Sequence, residues 1–263
     1  MNKVSVSTVT YNSDLVKLRS AIESLQSLSY IEIVILENSS NTILDLKYKN
    51  VKVINSKKNL GFGNGHNQVI FNHSKESKYH LILNPDVYFD PIELEKLINY
   101  MNANPTVSIV VPKVLYPNNK LQYSLRLIPT FFDQLIRRLN IYKNRIHFNE
   151  LRFTKYEKEM FVPFPLGCFL LCRSDLLRKI GGFDPRFFLY MEDLDLCRRM
   201  AEYGEVKFYP SAQVYHHYEK GSTKKLKLLK YHIISIIKYY NKWGWINDKK
   251  RKELNDKCLN QFN

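Results

Sequence analysis

Apolar runs alternate with helical patterns along the first half of the chain. Runs rich in β-branched residues predict strands at 4–9, 31–36, 51–54, 81–83 and 107–111. Between the first two runs, apolar residues recur at the spacing of one helix face: Leu15, Leu18, Ile22 and Leu25. Strands that alternate with helices build βαβ units, so this pattern predicts an α/β fold with a mainly parallel sheet.

Local signals place the starts of two helices in this half. Ser13 or Asp14 precedes the first helical pattern, in the position of an N-cap. Asp90, followed by Pro91, precedes a second pattern that has leucine, isoleucine and methionine on one face.

The second half opens with a stretch that has no regular pattern. Residues 118–164 are basic and aromatic, and we interpret them as an inserted region. Order returns with a predicted strand at 169–172, followed by a short helix that Ser174 caps and Gly181 ends. A further helix is predicted to start near Glu192 or Asp193.

Composition and charge narrow the choice of function. The 263 residues, 44% of them hydrophobic, suffice for one large core, and the net charge of +15 favours nucleic acid, an anionic membrane or a phosphorylated substrate. The four cysteines show no paired C-x-x-C spacing, so we expect reduced cytosolic thiols. We expect neither a signal peptide nor a membrane-spanning helix, since the apolar runs are short or interrupted by lysines.

The segment 220–242 pairs an apolar stripe with many lysines. The stripe consists of Leu226, Leu229, Ile233, Ile236 and Tyr240, and the lysines are Lys224, Lys225, Lys227, Lys230, Lys238 and Lys242. This pattern predicts a basic amphipathic helix that lies either in a membrane interface or against the core.

Polar residues follow the first two predicted strands. Thr10 and Asn12 follow the first strand, and Glu37 follows the second. Open α/β sheets bind ligands at the carboxyl ends of their strands, where a carboxylate accepts hydrogen bonds from a nucleobase or a ribose. A capped turn without a ligand explains the polar residues after the first strand, or Glu37 after the second, equally well.

Glycines alternate with other residues at Gly61, Gly63 and Gly65, ahead of Asn67 and an apolar helical pattern. Such a turn allows close approach of a ligand, and the helix start favours an anion, although a flexible turn explains the same residues. In a nicotinamide-dependent oxidoreductase the glycine-rich turn follows the first strand, whereas this one follows the third, so that class is disfavoured.

The strand predicted at 81–83 leads into Asn84, Pro85 and Asp86. A carboxylate at this place suits a hard divalent cation that neutralises a diphosphate, and an ordinary turn is the alternative. Further along, His216 is a candidate for completing a metal site or for contacting a phosphate.

Three acidic residues, Glu192, Asp193 and Asp195, follow an aromatic run that contains Phe188 and Tyr190. An aromatic wall binds a sugar face and raises the basicity of a carboxylate by desolvation, which suits a general base. The alternative is a helix start enriched in acidic residues. A nucleic-acid-binding protein has no use for this cluster, so we expect no nucleic acid partner.

In chain order these pieces resemble the family 2 glycosyltransferases of the GT-A fold, and among them the rhamnosyltransferase-like group of O-antigen and capsule biosynthesis. The resemblance runs from about residue 4 to residue 243 and rests on the motifs at 10–12, 59–67, 84–87 and 181–195. It implies a Rossmann-like sheet flanked by helices, with a donor-binding half at 1–115, an acceptor-binding and catalytic half at 116–215, and a basic helical segment at 216–263.

The resemblance also implies roles for single residues. Asp193 would be the catalytic base, Asp86 a ligand of Mg or Mn, and His216 a second metal or phosphate contact. The donor nucleotide would be bordered by Thr10, Asn12, Glu37, Gly61, Gly63, Asn67 and Asn84. The acceptor side would be bordered by Glu192, Asp195, Phe188 and Tyr190. Two departures from the family pattern are Glu37 and Asn84, each standing where the family has aspartate.

The activity implied is an inverting sugar transfer to a hydroxyl of a lipid-linked glycan of the undecaprenyl pyrophosphate type. The implied donor is dTDP-L-rhamnose, with another UDP- or dTDP-sugar as the alternative. We expect the enzyme in the cytoplasm, at the inner face of the cell membrane. A non-catalytic glycan-binding protein is the alternative of another class.

Overall fold

The computed structural model describes residues 3–39, 46, 48–218 and 226–262. The strands within them are β1 (Val4–Thr10), β2 (Ile31–Glu37), β3 (Val51–Asn55), β4 (Tyr79–Leu83), β5 (Val87–Tyr88), β6 (Val107–Leu115), β7 (Leu125–Arg126), β8 (Met160–Phe161), β9 (Phe164–Pro165), β10 (Phe169–Arg173) and β11 (Glu205–His216). The helices are α1 (Leu15–Glu23), α2 (Phe62–His73), α3 (Pro91–Ala103), α4 (Phe131–Leu139), α5 (Lys143–Asn149), α6 (Ser174–Lys179), α7 (Glu192–Met200), α8 (Leu226–Trp243) and α9 (Lys249–Leu259).

A central sheet organises the molecule, with strand order β3-β2-β1-β4-β10-β6-β11-β5 and β8 paired to β11 beside this path. Strands β1 to β4 run parallel, as do β6 and β11. Strand β10 lies antiparallel between β4 and β6, so the sheet is mixed at its middle. The predicted α/β class, with a central sheet flanked by helices, is confirmed.

Both faces of the sheet are buried. Leu81 and Leu83 pack in one apolar cluster, whereas Ile82 packs in the cluster on the other face. Strands buried on both faces are rich in apolar residues, which is why runs such as 81–83 could be predicted as strands. All five early predicted strands are present, and each extends past its predicted end or start.

The long strand β11 was not predicted. Pro210 and Ser211 interrupt its apolar pattern, and the pairing register with β6 shifts between Tyr209 and Gln213. Because proline has no backbone N–H to donate, it is tolerated where the ladder is irregular.

The predicted helix starts are borne out except at α6. Asp14 accepts hydrogen bonds from two backbone N–H groups at the start of α1, and Asp90 caps α3. Ser174 does not cap α6: it is the first helical residue, Arg173 holds the cap position, and the Ser174 hydroxyl is buried without a partner. The helix ends before Gly181, as predicted.

The inserted region 118–164 lies between β6 and β10, and near its end β8 joins the central sheet by pairing with β11. The region also carries α4, α5 and β7, which pairs with β9 in a separate two-stranded ribbon. Strands from both sides of residue 115 belong to the same sheet, so the proposed halves share one core. Their functional division stays a prediction.

The predicted basic helix corresponds to α8. Lys224 and Lys225 lie outside the described residues. Leu226 at its start is exposed, whereas Tyr239 and Tyr240 near its end are buried against the core. Among the described helices, none is long and apolar enough to cross a membrane.

Candidate active site

A cavity of about 670 Å³ opens at the carboxyl ends of β1 and β4. Strand β11 also ends at this cavity. Helix α7 begins there, directly after a turn in which Tyr190 and Met191 have positive φ angles of 69° and 67°. The cavity brings together seven of the predicted residues: Asn12, Asn84, Asp86, Tyr190, Glu192, Asp193 and His216. Positions 12 and 216 are more than 200 residues apart, so only the fold assembles this site.

Asp193 is held rigidly in the first turn of α7. One carboxylate oxygen accepts a hydrogen bond from the Gly167 backbone N–H at 3.0 Å, and the other accepts from the Leu194 N–H at 2.8 Å. A Cβ added at Gly167 would lie 2.8 Å from the Asp193 Cβ, so this position requires glycine. Burial raises the pKa of Asp193, which strengthens it as a base.

Glu192 lies beside Asp193 and is almost fully buried. One of its carboxylate oxygens has no hydrogen-bond partner. Burial and the adjacent Asp193 charge raise the pKa of Glu192 well above its usual value. The two neighbouring carboxyls therefore disfavour each other's ionisation, and the hydrogen bonds to Asp193 favour the negative charge on Asp193.

A second corner of the cavity holds Asn84, Asp86 and His216. The Asp86 Oδ1 and the His216 Nε2 are 3.3 Å apart, but the contact lacks the alignment of a hydrogen bond, and Asp86 Oδ1 and Asn84 Oδ1 are both buried without partners. His216 Nδ1 lies 2.8 Å from Gln122 Oε1, which fixes the ring. Burial lowers the pKa of His216, but Cys168 and Asp86 outweigh this and raise it to about 10.

These two orphaned oxygens and one imidazole fit a divalent cation that takes its remaining ligands from substrate and water. In the described part of the chain there is no group of three or more His, Cys, Asp or Glu residues able to hold a metal alone. The residues thus fit a site shared with a phosphate-bearing ligand rather than a closed protein cage.

Thr10 and Glu37 lie at neighbouring strand ends but do not line the cavity. The Thr10 hydroxyl donates to Glu37 Oε2 at 2.6 Å, and the Ser39 backbone N–H donates to Glu37 Oε1 at 2.7 Å. Glu37 therefore orders the ends of β1 and β2. Its predicted contact with a nucleotide stays a prediction.

The glycine-rich turn has a packing role that differs from the predicted ligand contact. A Cβ at Gly61 would lie 2.1 Å from the Phe188 carbonyl oxygen, and one at Gly63 would lie 2.9 Å from the Phe183 Cβ. The Asn67 side chain donates to the Phe183 carbonyl and accepts from its N–H, each at 2.8 Å. These residues fasten α2 to the aromatic segment, and none of them lines the cavity.

Asp195 and Phe188 also lie behind the cavity rather than at its border. Asp195 is fully buried and accepts hydrogen bonds from Arg199, Lys242 and Trp243 at 2.6 to 2.8 Å. Phe188 contacts the ring of Tyr231 in α8, with centroids 4.6 Å apart. Asp195 and Phe188 therefore tie α7 and the turn before it to α8. Both lie close to Asp193 in sequence, but neither side chain lines the cavity.

The cavity lining also includes polar and charged side chains that were not predicted as site residues, among them Arg126, Arg137, Tyr218 and His232. The first two belong to the patternless region 118–164, whose basic residues were the only available signal. The third follows β11, and the last lies on α8.

Comparisons with known proteins agree with this geometry. The model of Glycosyl transferase family 2 matches residues 5–181. Two curated proteins from strains of Mycobacterium tuberculosis, each named N-acetylglucosaminyl-diphospho-decaprenol L-rhamnosyltransferase, are 29% identical over 188 residues, which is 65% of this chain and 60% of theirs. Rhamnosyltransferase WbbL of Escherichia coli is 26% identical over 189 residues, 68% of this chain and 70% of its own. The match to the mycobacterial proteins thus spans about 60% of their length.

Solved structures show the same fold. GalNAc-T7 with UDP, GalNAc and Mn²⁺ has a TM-score of 0.65 at 17% identity, covering 99% of this chain and 56% of that one. The mannosyltransferase PcManGT from Pyrobaculum calidifontis, with GDP-Man and Mn²⁺, has a TM-score of 0.64 at 14% identity, covering 99% of this chain and 70% of that one. At these identities the likeness establishes the shared GT-A fold.

Proposed function

The chain belongs to glycosyl transferase family 2, and from this premise we propose that it is an inverting rhamnosyltransferase that extends a lipid-linked glycan. The observation that carries the proposal is the position of Asp193, a basic carboxylate fixed on the wall of a cavity that also holds Asp86 and His216. The names of the curated relatives support L-rhamnose as the sugar and a lipid diphosphate glycan as the acceptor.

Asp193 is the proposed general base. The acceptor hydroxyl gives its proton to Asp193 as its oxygen bonds to the anomeric carbon, while the bond from that carbon to the diphosphate oxygen breaks. The hydrogen bonds from Gly167 and Leu194 aim the carboxylate, and burial keeps it more basic than an exposed aspartate. The attack and the departure occur on opposite faces of the sugar, so the configuration inverts.

Asn84, Asp86 and His216 are the residues proposed to hold Mg or Mn. A divalent cation bound there supplies positive charge to the departing diphosphate. His216 would release its proton when it becomes a ligand, since metal-bound imidazole is neutral. The Mn²⁺ in the two structural neighbours supports this assignment.

The nucleotide of a dTDP- or UDP-sugar is proposed to lie at the ends of β1 and β2. Asn12 lines the cavity there, with a positive φ of 51° that turns the chain out of β1. The hydrogen bond between Thr10 and Glu37 joins the ends of β1 and β2 beside this turn. The position agrees with the general rule that open α/β sheets bind ligands at strand ends.

A membrane surface is the proposed setting, since the acceptor is a lipid. The outer face of α4 and the turn after it expose large apolar side chains: Phe132, Leu135, Leu139, Ile141 and Tyr142. Leu226 and Ile233 on α8 are also exposed. An exposed apolar helix face on a basic protein suits an anionic bilayer at the inner face of the cell membrane.

Binding to liposomes tests this setting. Replacing Phe132 and Leu139 together by serine is expected to reduce co-sedimentation with anionic vesicles, whereas Ile92→Ser, an equally apolar exposed change on α3, is expected to leave it unaltered. Equal binding by both variants would refute the role of α4.

The experiment that tests the activity is hydrolysis of nucleotide sugars by the purified protein, followed by release of nucleoside diphosphate with and without a chelator. Chelator-sensitive release from dTDP-L-rhamnose alone is expected. Release from another donor would keep the enzyme class and replace the sugar. No release from any donor, together with no thermal shift on adding them, would refute the catalytic function.

A further inference from the structure

Arg126 is a half-buried cation on the cavity wall that has no direct ion-pair partner among the described residues. Its Nε is buried and makes no hydrogen bond, and within the described residues its guanidinium forms no ion pair. The Phe164 ring lies 5.9 Å from the guanidinium carbon. Burial and the nearby Arg137 lower the pKa of Arg126 to about 10, so the side chain still carries its charge at neutral pH.

Two carboxylates act on Arg126 electrostatically, Glu150 and the proposed base Asp193. Arg137 donates to Glu150 at 2.8 Å, and Arg152 binds the other oxygen of the same carboxylate at 2.5 Å. Glu150 is therefore already bound by two other arginines. The wall is electropositive, since burial together with Arg138, Arg137 and Arg126 lowers the pKa of His232 to about 4.

A half-buried arginine that makes no direct ion pair among the described residues, on an electropositive cavity wall, points to an anionic ligand. The guanidinium fork matches the oxygens of a phosphate, with two hydrogen bonds to one group. Arg126 and Arg137 share the main cavity with Asp86 and His216, and they alone of these four residues also line an adjoining recess of about 30 Å³.

We propose that Arg126 and Arg137 bind the diphosphate group of the lipid-linked acceptor. The inference rests on the proposed function and assigns its acceptor site. Helix α4 connects the two ends of such a molecule: Gln134 and Arg137 line the cavity, whereas Phe132 and Leu139 face outward and are exposed. A lipid chain held beside the outer face would place its diphosphate next to the inner face.

Binding of farnesyl diphosphate, a short water-soluble lipid diphosphate, tests the site without requiring catalysis. The titration is made with Mg²⁺ and saturating dTDP, so that the donor corner is filled. Arg126→Gln and Arg137→Ala are each expected to weaken binding by roughly 10- to 100-fold, the range of a lost charge-assisted hydrogen bond. Lys143→Ala removes a positive charge from exposed α5, outside the cavity, and is expected to leave binding unaltered.

Binding of dTDP and of inorganic diphosphate distinguishes an acceptor site from a donor site and from a site that binds any diphosphate. Binding of dTDP is expected to stay within twofold of wild type in both arginine variants; an equal loss of dTDP binding would assign the wall to the donor and overturn the proposal. Unaltered farnesyl diphosphate binding would also overturn it. Inorganic diphosphate binding as tightly as farnesyl diphosphate would show that the lipid part contributes nothing, and would refute an acceptor site formed with α4.

Stability distinguishes a binding arginine from a structural one. Because Arg126 makes no direct ion pair in the described part of the chain, Arg126→Gln is expected to keep or raise the melting temperature, as removal of a binding residue commonly does. In the transfer reaction the same variant is expected to raise the KM for the lipid diphosphate acceptor at least tenfold. If wild type binds farnesyl diphosphate but transfers no sugar, the proposed function fails while the anion site stands.

Discussion

Replacing Asp193 by asparagine removes the proposed base with the least change in shape. The asparagine carbonyl oxygen can accept only one of the two N–H groups that the carboxylate now accepts, from Gly167 and Leu194. One backbone donor then loses its partner, which costs about 1–3 kcal/mol of folding free energy. For a chain of this size we expect the melting temperature to fall by a few degrees only.

The effect on catalysis is expected to be far larger. A positioned general base contributes about 10²- to 10⁴-fold in rate, or about 2.7 to 5.4 kcal/mol of transition-state free energy. The loss should appear in kcat, because the proposed donor contacts at Asn12 and Asp86 are untouched. The dissociation constant of the nucleotide sugar is expected to stay near the wild-type value.

The assay is transfer from dTDP-L-rhamnose to a lipid-linked acceptor, measured beside donor binding by calorimetry. Asp90→Asn is the matched control, since Asp90 is the N-cap of α3 outside the cavity and asparagine caps a helix equally well. In the wild type, the raised pKa of Asp193 predicts that kcat/KM falls on acidification at a pH above the usual aspartate range, because the protonated carboxyl is inactive.

A variant that retains more than a tenth of wild-type kcat would refute the assignment of Asp193 as the base. Equal losses of donor binding and transfer would instead indicate that the residue organises the donor site. An inactive Asp90→Asn control would show that the assay reports general damage to the fold.

The remaining predictions concern stability. Gly61 and Gly181 both have positive φ, but of these two only Gly61 has a backbone atom in the space that a Cβ would fill. In chemical unfolding, Gly181→Ala is expected to lower the free energy of unfolding by about 1 kcal/mol and Gly61→Ala by at least about 3 kcal/mol. Equal losses would refute the steric reason. Burial and Arg178 lower the pKa of His80 to about 3, so His80 stays neutral in the folded protein. Between pH 6.5 and 3 only the unfolded state binds the proton, so the free energy of unfolding should fall on acidification by up to about 1.4 kcal/mol per pH unit. A urea midpoint that does not change between pH 7 and 5 would contradict this. Asp248→Asn breaks the buried ion pair with Arg198 and is expected to cost about 3–5 kcal/mol, whereas Glu76→Gln, at an exposed pair with Lys3, should leave the melting temperature unaltered.

The sequence by itself determined the α/β class and most of the sheet. Strands buried on both faces are rich in apolar residues, so 31–36, apolar except at Glu32, and 81–83 could be recognised without knowledge of their neighbours. Caps such as Asp14 and Asp90 act on the backbone a few residues away, and that short range makes them readable from sequence. The motif order also indicated the family, which the family model confirms.

Only the tertiary structure decided which residues share the cavity. Gly61 and Asn67 pack α2 against the segment after Gly182, a contact across more than 110 residues of sequence, while their ligand contacts stay a prediction. Asp195 is two residues from Asp193 yet faces α8, because successive helix positions point in different directions. Arg126 became a site residue only when the fold placed it on the cavity wall with its Nε unpaired and no direct ion pair among the described residues, and the pairing of charges across distant segments is a property that local sequence does not encode.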